Sequence, residues 1–279
     1  MTGPQPDPAR QDKTIGTALG RLKVRRLLAA WVLGMFAVWS LGAIVGGPDE
    51  LSNRLLIPAG LYLVPALWLL LKLSPSDLRA LYGAKGPVPW RLVPWVVALL
   101  AVGVTFKWAW TTFGPALLLA LAGRSRPPAG AWRAWDVAKS VILAPLIEEL
   151  LFRGFILQRW TARYNRTAAL LGSSLFFGAL HFSDPIGPTV YGLCMALLYL
   201  RSGSLWLSTT AHACNNALAE LTWDIPRGRS LVVVGVQVWP VAVPGFFLAP
   251  WLVHWVVRNW PSPTAPLPYF RNQRELPPE

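Results

Sequence analysis

Charge is scarce in this chain: only 14% of its 279 residues are Asp, Glu, Lys or Arg, against about 25% in an ordinary soluble domain. With 54% of the residues hydrophobic, that shortage fits neither a disordered segment nor a typical water-soluble protein. Acidic residues are scarcer still, 13 against 26 basic ones, for a net charge of +13. In a soluble protein such a balance would suggest nucleic acid as a partner. In a chain with several apolar runs of 17 or more residues it instead follows the excess of Lys and Arg on cytoplasmic loops and their attraction to anionic headgroups. The two cysteines, Cys194 and Cys214, both lie in apolar segments, so a disulfide framework and a Cys-rich zinc site are both excluded. There is no Gly-rich phosphate loop, no internal repeat and no heptad seam. Histidine occurs three times, at His181, His212 and His254, and that rarity makes each position informative.

What the chain has in quantity is apolar segments and 16 tryptophans, which suit interfacial belts and helix packing. The expected class is all-α: a polytopic transmembrane helical bundle of about eight spans. Residues 1–26 read as a cytoplasmic tail, polar and disordered over 1–20. The basic group Arg21, Lys23, Arg25 and Arg26 then precedes an apolar run over 27–45. This run is too long for a signal-peptide core and lacks a cleavage site, so it reads as a retained first span. A second span is expected at 55–71, interrupted by Pro58 and Pro65, then a basic loop at 72–91 with a short interfacial helix. Further spans are expected at 92–122, 137–158, 168–183, 186–200, 203–222 and 231–257, with a Pro-rich polar tail at 260–279. Taking 92–122 as one span puts 17 basic residues on the cytoplasmic side and 6 outside; taking it as a hairpin gives 15 and 9. The single span wins on the positive-inside rule. Both termini are then cytoplasmic, and the protein is expected to be multi-pass in the cell (inner) membrane. In domain terms, helices over 27–134 precede a core at 135–222 and a last helix within 223–259.

The core carries the unusual residues. Leu143 to Gly154 places Glu148, Glu149 and Arg153 inside an apolar run from Val137 to Leu157. A charge at that depth costs at least about 2.5–3.5 kcal/mol, so these side chains should face a protein interior or a watery cavity. Glu149 and Arg153 are spaced four apart with the carboxylate first, the favoured order for a helical pair. Glu148 points about 100° away and is left for chemistry. Two further polar groups interrupt apolar helices: Phe177 to His181, and His212 to Asn216. At ~1.5 Å per residue Glu148 lies about 18 Å deep and His181 about 20 Å; His212 and Asn216 lie about 14 and 20 Å deep. Four polar groups from three helices therefore reach one level and can converge. Cys214 reads as a small packing residue, His254 as an interfacial anchor, and Lys107 and Lys139 have no assigned role.

These three motifs, Glu148-Glu149-x-x-x-Arg153, Phe177-x-x-x-His181 and His212-x-x-x-Asn216, occur in order in successive apolar helices. They resemble the CAAX prenyl protease type II family, the Rce1-like intramembrane proteases of the CPBP (Abi) group. The resemblance covers about residues 135–222. It implies an endopeptidase that cleaves membrane-associated peptide or protein substrates, prenylated or not, from a cavity open to the cytoplasmic side. It also implies Glu148 as the base that activates water with help from His181. His212 and Asn216 would stabilise the oxyanion, and Glu149 and Arg153 would support the site. The lipid bilayer and the substrate are the expected partners, with no nucleic acid and no cofactor.

Three other readings stay open at the level of sequence. Glu148, His181 and His212 could form a His₂Glu zinc site with an open fourth position, although no H-E-x-x-H is present. Intramembrane Glu and His also suit a transporter or proton relay, although inverted repeats are lacking. A non-catalytic immunity or regulatory protein could retain the motifs.

Overall fold

A computed structural model describes residues 18–45, 56–83, 90–113, 133–181, 185–221, 231–262 and 265–275. Every regular element among them is helical. A short α1 (Ala18–Arg21) leads into α2 (Val24–Val45), and a π-helical turn at Ala59–Leu63 runs directly into α3 (Val64–Leu70). α4 (Pro75–Tyr82) is followed by a 3₁₀ turn at Trp90–Leu92 and α5 (Val93–Phe113). The next stretch is one continuous helical rod: α6 (Arg133–Ala138), a π turn at Lys139–Leu143, α7 (Ala144–Glu149), a second π segment at Leu150–Ile156, and α8 (Leu157–Arg163). α9 (Arg166–Ala179), α10 (Ile186–Ser202), α11 (Leu205–Leu221), α12 (Leu231–Arg258) and α13 (Pro268–Glu275) complete the chain.

The core is apolar, but the surface is apolar as well and charge is buried at the centre. On α2 the outward residues are apolar, with Phe36 63% and Trp39 69% exposed, whereas Glu149 is 0% and Arg153 2% exposed in the centre. Contiguous exposed apolar surface of this kind marks contact with lipid or with another protein. The inward stripe of α2 begins with Leu27 and Trp31 and continues at Gly34, where an added Cβ would overlap Val64 on α3. Gly60 returns the contact, with room for a Cβ only about 3.1–3.2 Å from Met35 and Val38. Small residues let two membrane helices approach closely where dispersion, rather than water, drives packing. α5 and α12 pair through Trp95 and Trp251, whose rings stack at 3.5 Å. α9 and α10 pair beside the rod.

By length and composition, the stretch Val24–Gly42 is the one helix among the described residues that could cross a bilayer by itself. Ala59–Leu70 and Pro75–Tyr82 pass the same test only as a pair bent by 117°. The helix pattern otherwise follows the expected apolar segments. The outer parts of the 92–122 segment and of the loops around it lie outside the described residues, as do residues 1–17, and so does the side chain of Lys107.

Two regions differ from the sequence expectation. Residues 268–275, expected within a polar tail, form α13, which docks on α4. Tyr269 is fully buried and Asn272 nearly so; they are three apart and share one face of the helix. Asn272 Nδ2 donates to the carbonyls of Ala80 at 2.8 Å and Gly203 at 2.7 Å, and the Tyr269 hydroxyl donates to Asp77. Asp77 is already fixed by a capping box with Ser74 at the start of α4, an arrangement that satisfies two orphan helix donors. Gly203 ends α10 with φ of +74°, a left-handed conformation that favours glycine. Arg166 holds the chain leading to α13 through the carbonyls of Ser262 and Ala265. At the other end, Leu19, expected within a disordered tail, is buried in the core.

Candidate active site

The Glu pair sits in α7 between two π-helical segments. A π turn inserts an extra residue and shifts the face of all that follows, and such turns recur at functional sites. Pro145 at the start of α7 lacks an N–H and so suits the break left by the preceding π turn.

Glu149 is the hub of a buried ion cluster. Its Oε1 accepts from His212 Nδ1 at 3.0 Å and lies 3.2 Å from an Arg153 terminal nitrogen. The other terminal nitrogen of Arg153 donates to the Gly192 carbonyl at 3.0 Å, and the guanidinium lies 4.6 Å from the centre of the Phe177 ring. Gly192 allows this contact, since a Cβ there would stand 3.1 Å from Phe177 and 3.3 Å from Arg153. One carboxylate, one guanidinium and one imidazole thus tie the rod to α10 and α11. A buried pair broken on one side leaves an uncompensated charge, so this cluster holds its geometry strongly.

Among the described residues, Glu148 meets that cluster through His212 alone. It lines a cavity with Tyr62, His181, Trp31, Phe152 and Phe177. About 90 Å³ of that cavity is open to the centres of water-sized molecules, against about 10–15 Å³ needed for one water. His181 follows the last turn of α9 and bonds through Nδ1 to the Phe177 carbonyl at 2.8 Å. A carbonyl only accepts, so Nδ1 carries the hydrogen and Nε2 is a free lone pair. The same logic places a hydrogen on Nδ1 of His212, whose Nε2 stands 3.8 Å from Glu148 Oε2. The Tyr191 ring packs edge-on against the His212 imidazole at 5.5 Å, and its hydroxyl donates to the Ala211 carbonyl at 3.2 Å.

The structure therefore sets Glu148 beside both histidines: it shares a cavity with His181 and stands 3.8 Å from His212, with Glu149 and Arg153 behind. Asn216 is bonded to the rod: its Nδ2 donates to the Ser140 carbonyl at 2.8 Å, in the first π turn. Among the described residues, no three His, Cys, Asp or Glu side chains gather as a metal ion would require. The Glu148, His181 and His212 set thus does not fit a preformed His₂Glu zinc centre. Lys139, given no role by sequence, pairs with Asp136 at 3.2 Å. Cys194 is buried and Cys214 exposed, both free.

Tyr62, Trp31 and Gly192 escape sequence reasoning. Tyr62 has a faint signal, as a hydroxyl set in an apolar segment between Pro58 and Pro65. Gly192 has none, because its role depends on which helix faces it.

Residues 130–218 match the family model described as type II CAAX prenyl endopeptidase Rce1-like. That stretch contains all three motifs and most of the helices that carry the site. No curated protein and no solved structure matches the chain.

Proposed function

We propose that this chain, whose residues 130–218 match the Rce1-like type II CAAX prenyl endopeptidase family model, is an intramembrane endopeptidase that cleaves membrane-associated substrates with a glutamate-activated water. The observation that carries this reading is the division of labour in the Glu pair. Glu149 is neutralised by Arg153 and His212, while Glu148 faces a water-sized cavity beside the free nitrogen of His181.

Glu148 takes a proton from a water held between it and His181 Nε2, and the hydroxide adds to the scissile carbonyl. His212 is oriented by its Nδ1 bond to Glu149 and turns Nε2 toward Glu148, from where a doubly protonated ring would donate toward the charge that develops. Donors fixed in such an environment are worth more than in solution. Glu148 then returns its proton to the leaving amine. Asn216 braces the rod through Ser140 and so positions Glu148 from a distance. The bilayer topology that goes with this reading has eight spans, both termini cytoplasmic, in the inner membrane. The substrate is a membrane-associated peptide or protein, and no metal takes part.

The test is cleavage of a quenched membrane-peptide library by the detergent-purified protein, before and after thorough chelation. Internal cleavage that survives chelation supports the reading. Loss on chelation with rescue by Zn²⁺ replaces it with a metalloprotease, and no cleavage across a library that includes prenylated tails counts against proteolysis.

A further inference from the structure

We propose that Tyr62 is a further catalytic residue, the hydrogen-bond donor that the cavity itself presents to the oxyanion of the tetrahedral intermediate. This rests on the endopeptidase reading above. Four side chains with a polar atom line the cavity: Tyr62, Glu148, His181 and Trp31, whose indole N–H is a second donor; Tyr62 is the one we assign, because it lies next to Glu148. An ionised Glu148 only accepts hydrogen bonds. His181 has committed its N–H to Phe177 and turns a lone pair inward. Neither can donate to a developing negative charge, whereas a phenol can. Of the two donors implied by the family motif, His212 stands outside the cavity lining and Asn216 spends an amide N–H on Ser140.

In the resting site the phenol shares the cavity wall with Glu148 and, in this proposal, donates to its carboxylate. A substrate carbonyl and a water entering between them release that bond, and rotation about the C–O bond aims the hydrogen at the carbonyl oxygen. Water then loses a proton to Glu148 and its oxygen bonds to the carbonyl carbon. The C=O π pair moves onto the oxygen, which accepts the Tyr62 hydrogen bond. Collapse re-forms the C=O bond and breaks the C–N bond, with the Glu148 proton going to the amine. Tyr62 keeps its own proton throughout.

The backbone holds the phenol in place for this task. Tyr62 lies in the π turn Ala59–Leu63 immediately after Pro58. Gly60 in the same turn is buried against Met35 and Val38 of α2, so the turn is clamped from behind. The irregular turn has a use in aiming one hydroxyl across the helix interface at Glu148.

Tyr62→Phe keeps the ring and removes the donor. On the best library peptide it should lower kcat about 10²-fold and leave KM and the melting temperature close to wild type. A structural role would instead lower the melting temperature, or raise KM at constant kcat. A second measurement needs no activity. With [¹³Cζ]tyrosine, the resonance missing from Tyr62→Phe should shift between wild type and Glu148→Gln. A kcat within about threefold of wild type, or a resonance unmoved by Glu148→Gln, overturns the proposal. If the wild type cleaves nothing, the endopeptidase reading is what fails; a moved resonance then still supports the contact, and an unmoved one removes it.

Discussion

Arg153→Met removes the guanidinium but keeps most of the apolar stem, and the structure predicts its cost. Arg153 and Glu149 are 2% and 0% exposed as side chains and 3.2 Å apart. Without the cation, Glu149 remains buried with only His212 beside it, and the Gly192 carbonyl loses its donor. Breaking one side of a buried pair costs about 3–5 kcal/mol, and the surviving bond from His212 favours the lower end. At roughly 2–4 °C per kcal/mol for a chain of this size class, the melting temperature should fall by about 6–12 °C. The protein supplies its own reporter. Cys194 is buried and Cys214 exposed, so in a Cys214→Ser background a thiol-reactive dye signals only when the core opens. The paired variant Glu149→Gln with Arg153→Met removes both charges and should recover most of the loss, to within about 1–2 kcal/mol of the parent. The reasoning is refuted if Arg153→Met melts within about 2 °C of the parent, or if the paired variant melts as low as Arg153→Met alone.

Other expectations follow from the same geometry. Asn272→Ala leaves the Ala80 and Gly203 carbonyls without their donor, at about 1–3 kcal/mol. Trypsin should then release the chain beyond α12 faster than from wild type, while an equal rate would show that α13 is not held there. Reporter fusions at residue 126 and after residue 279 should read opposite sides of the membrane, outside and cytoplasmic respectively; the reverse assignment would favour a hairpin at 92–122. Chelation should leave cleavage unchanged, because the Glu148, His181 and His212 set does not present a preformed metal centre.

Much of the helical pattern was legible because apolar periodicity shows where helices run. The expected spans at 186–200, 203–222 and 231–257 fall close to α10, α11 and α12. Spacing within one helix was equally readable: Glu149 and Arg153, four apart, do pair. What the sequence cannot give is the partner across an interface. His212 and Asn216 share a helix face by spacing, yet His212 meets the Glu pair while Asn216 meets Ser140. The reason lies partly in the π segments at Lys139–Leu143 and Leu150–Ile156. Each shifts the register of the rod, and no residue pattern announces it. Tyr62 was missed for the same reason, since its meaning depends on Glu148 from a different helix. α13 was missed because its Pro-rich, charged composition resembles a solvated tail, while its anchors are few, Tyr269 and Asn272 with Pro268 beside them.

The most direct test of the account is the turnover of Glu148→Gln measured beside its melting temperature. Glu148 lines the cavity and touches the Glu149 ion cluster only at 3.8 Å from His212, while the close pairs are made by Glu149, so replacing its carboxylate by an amide should leave the fold intact. The account predicts a kcat lowered by at least about 10³-fold, near the range for loss of an essential base, with melting unchanged. Turnover within about tenfold of wild type by that stable variant would contradict it.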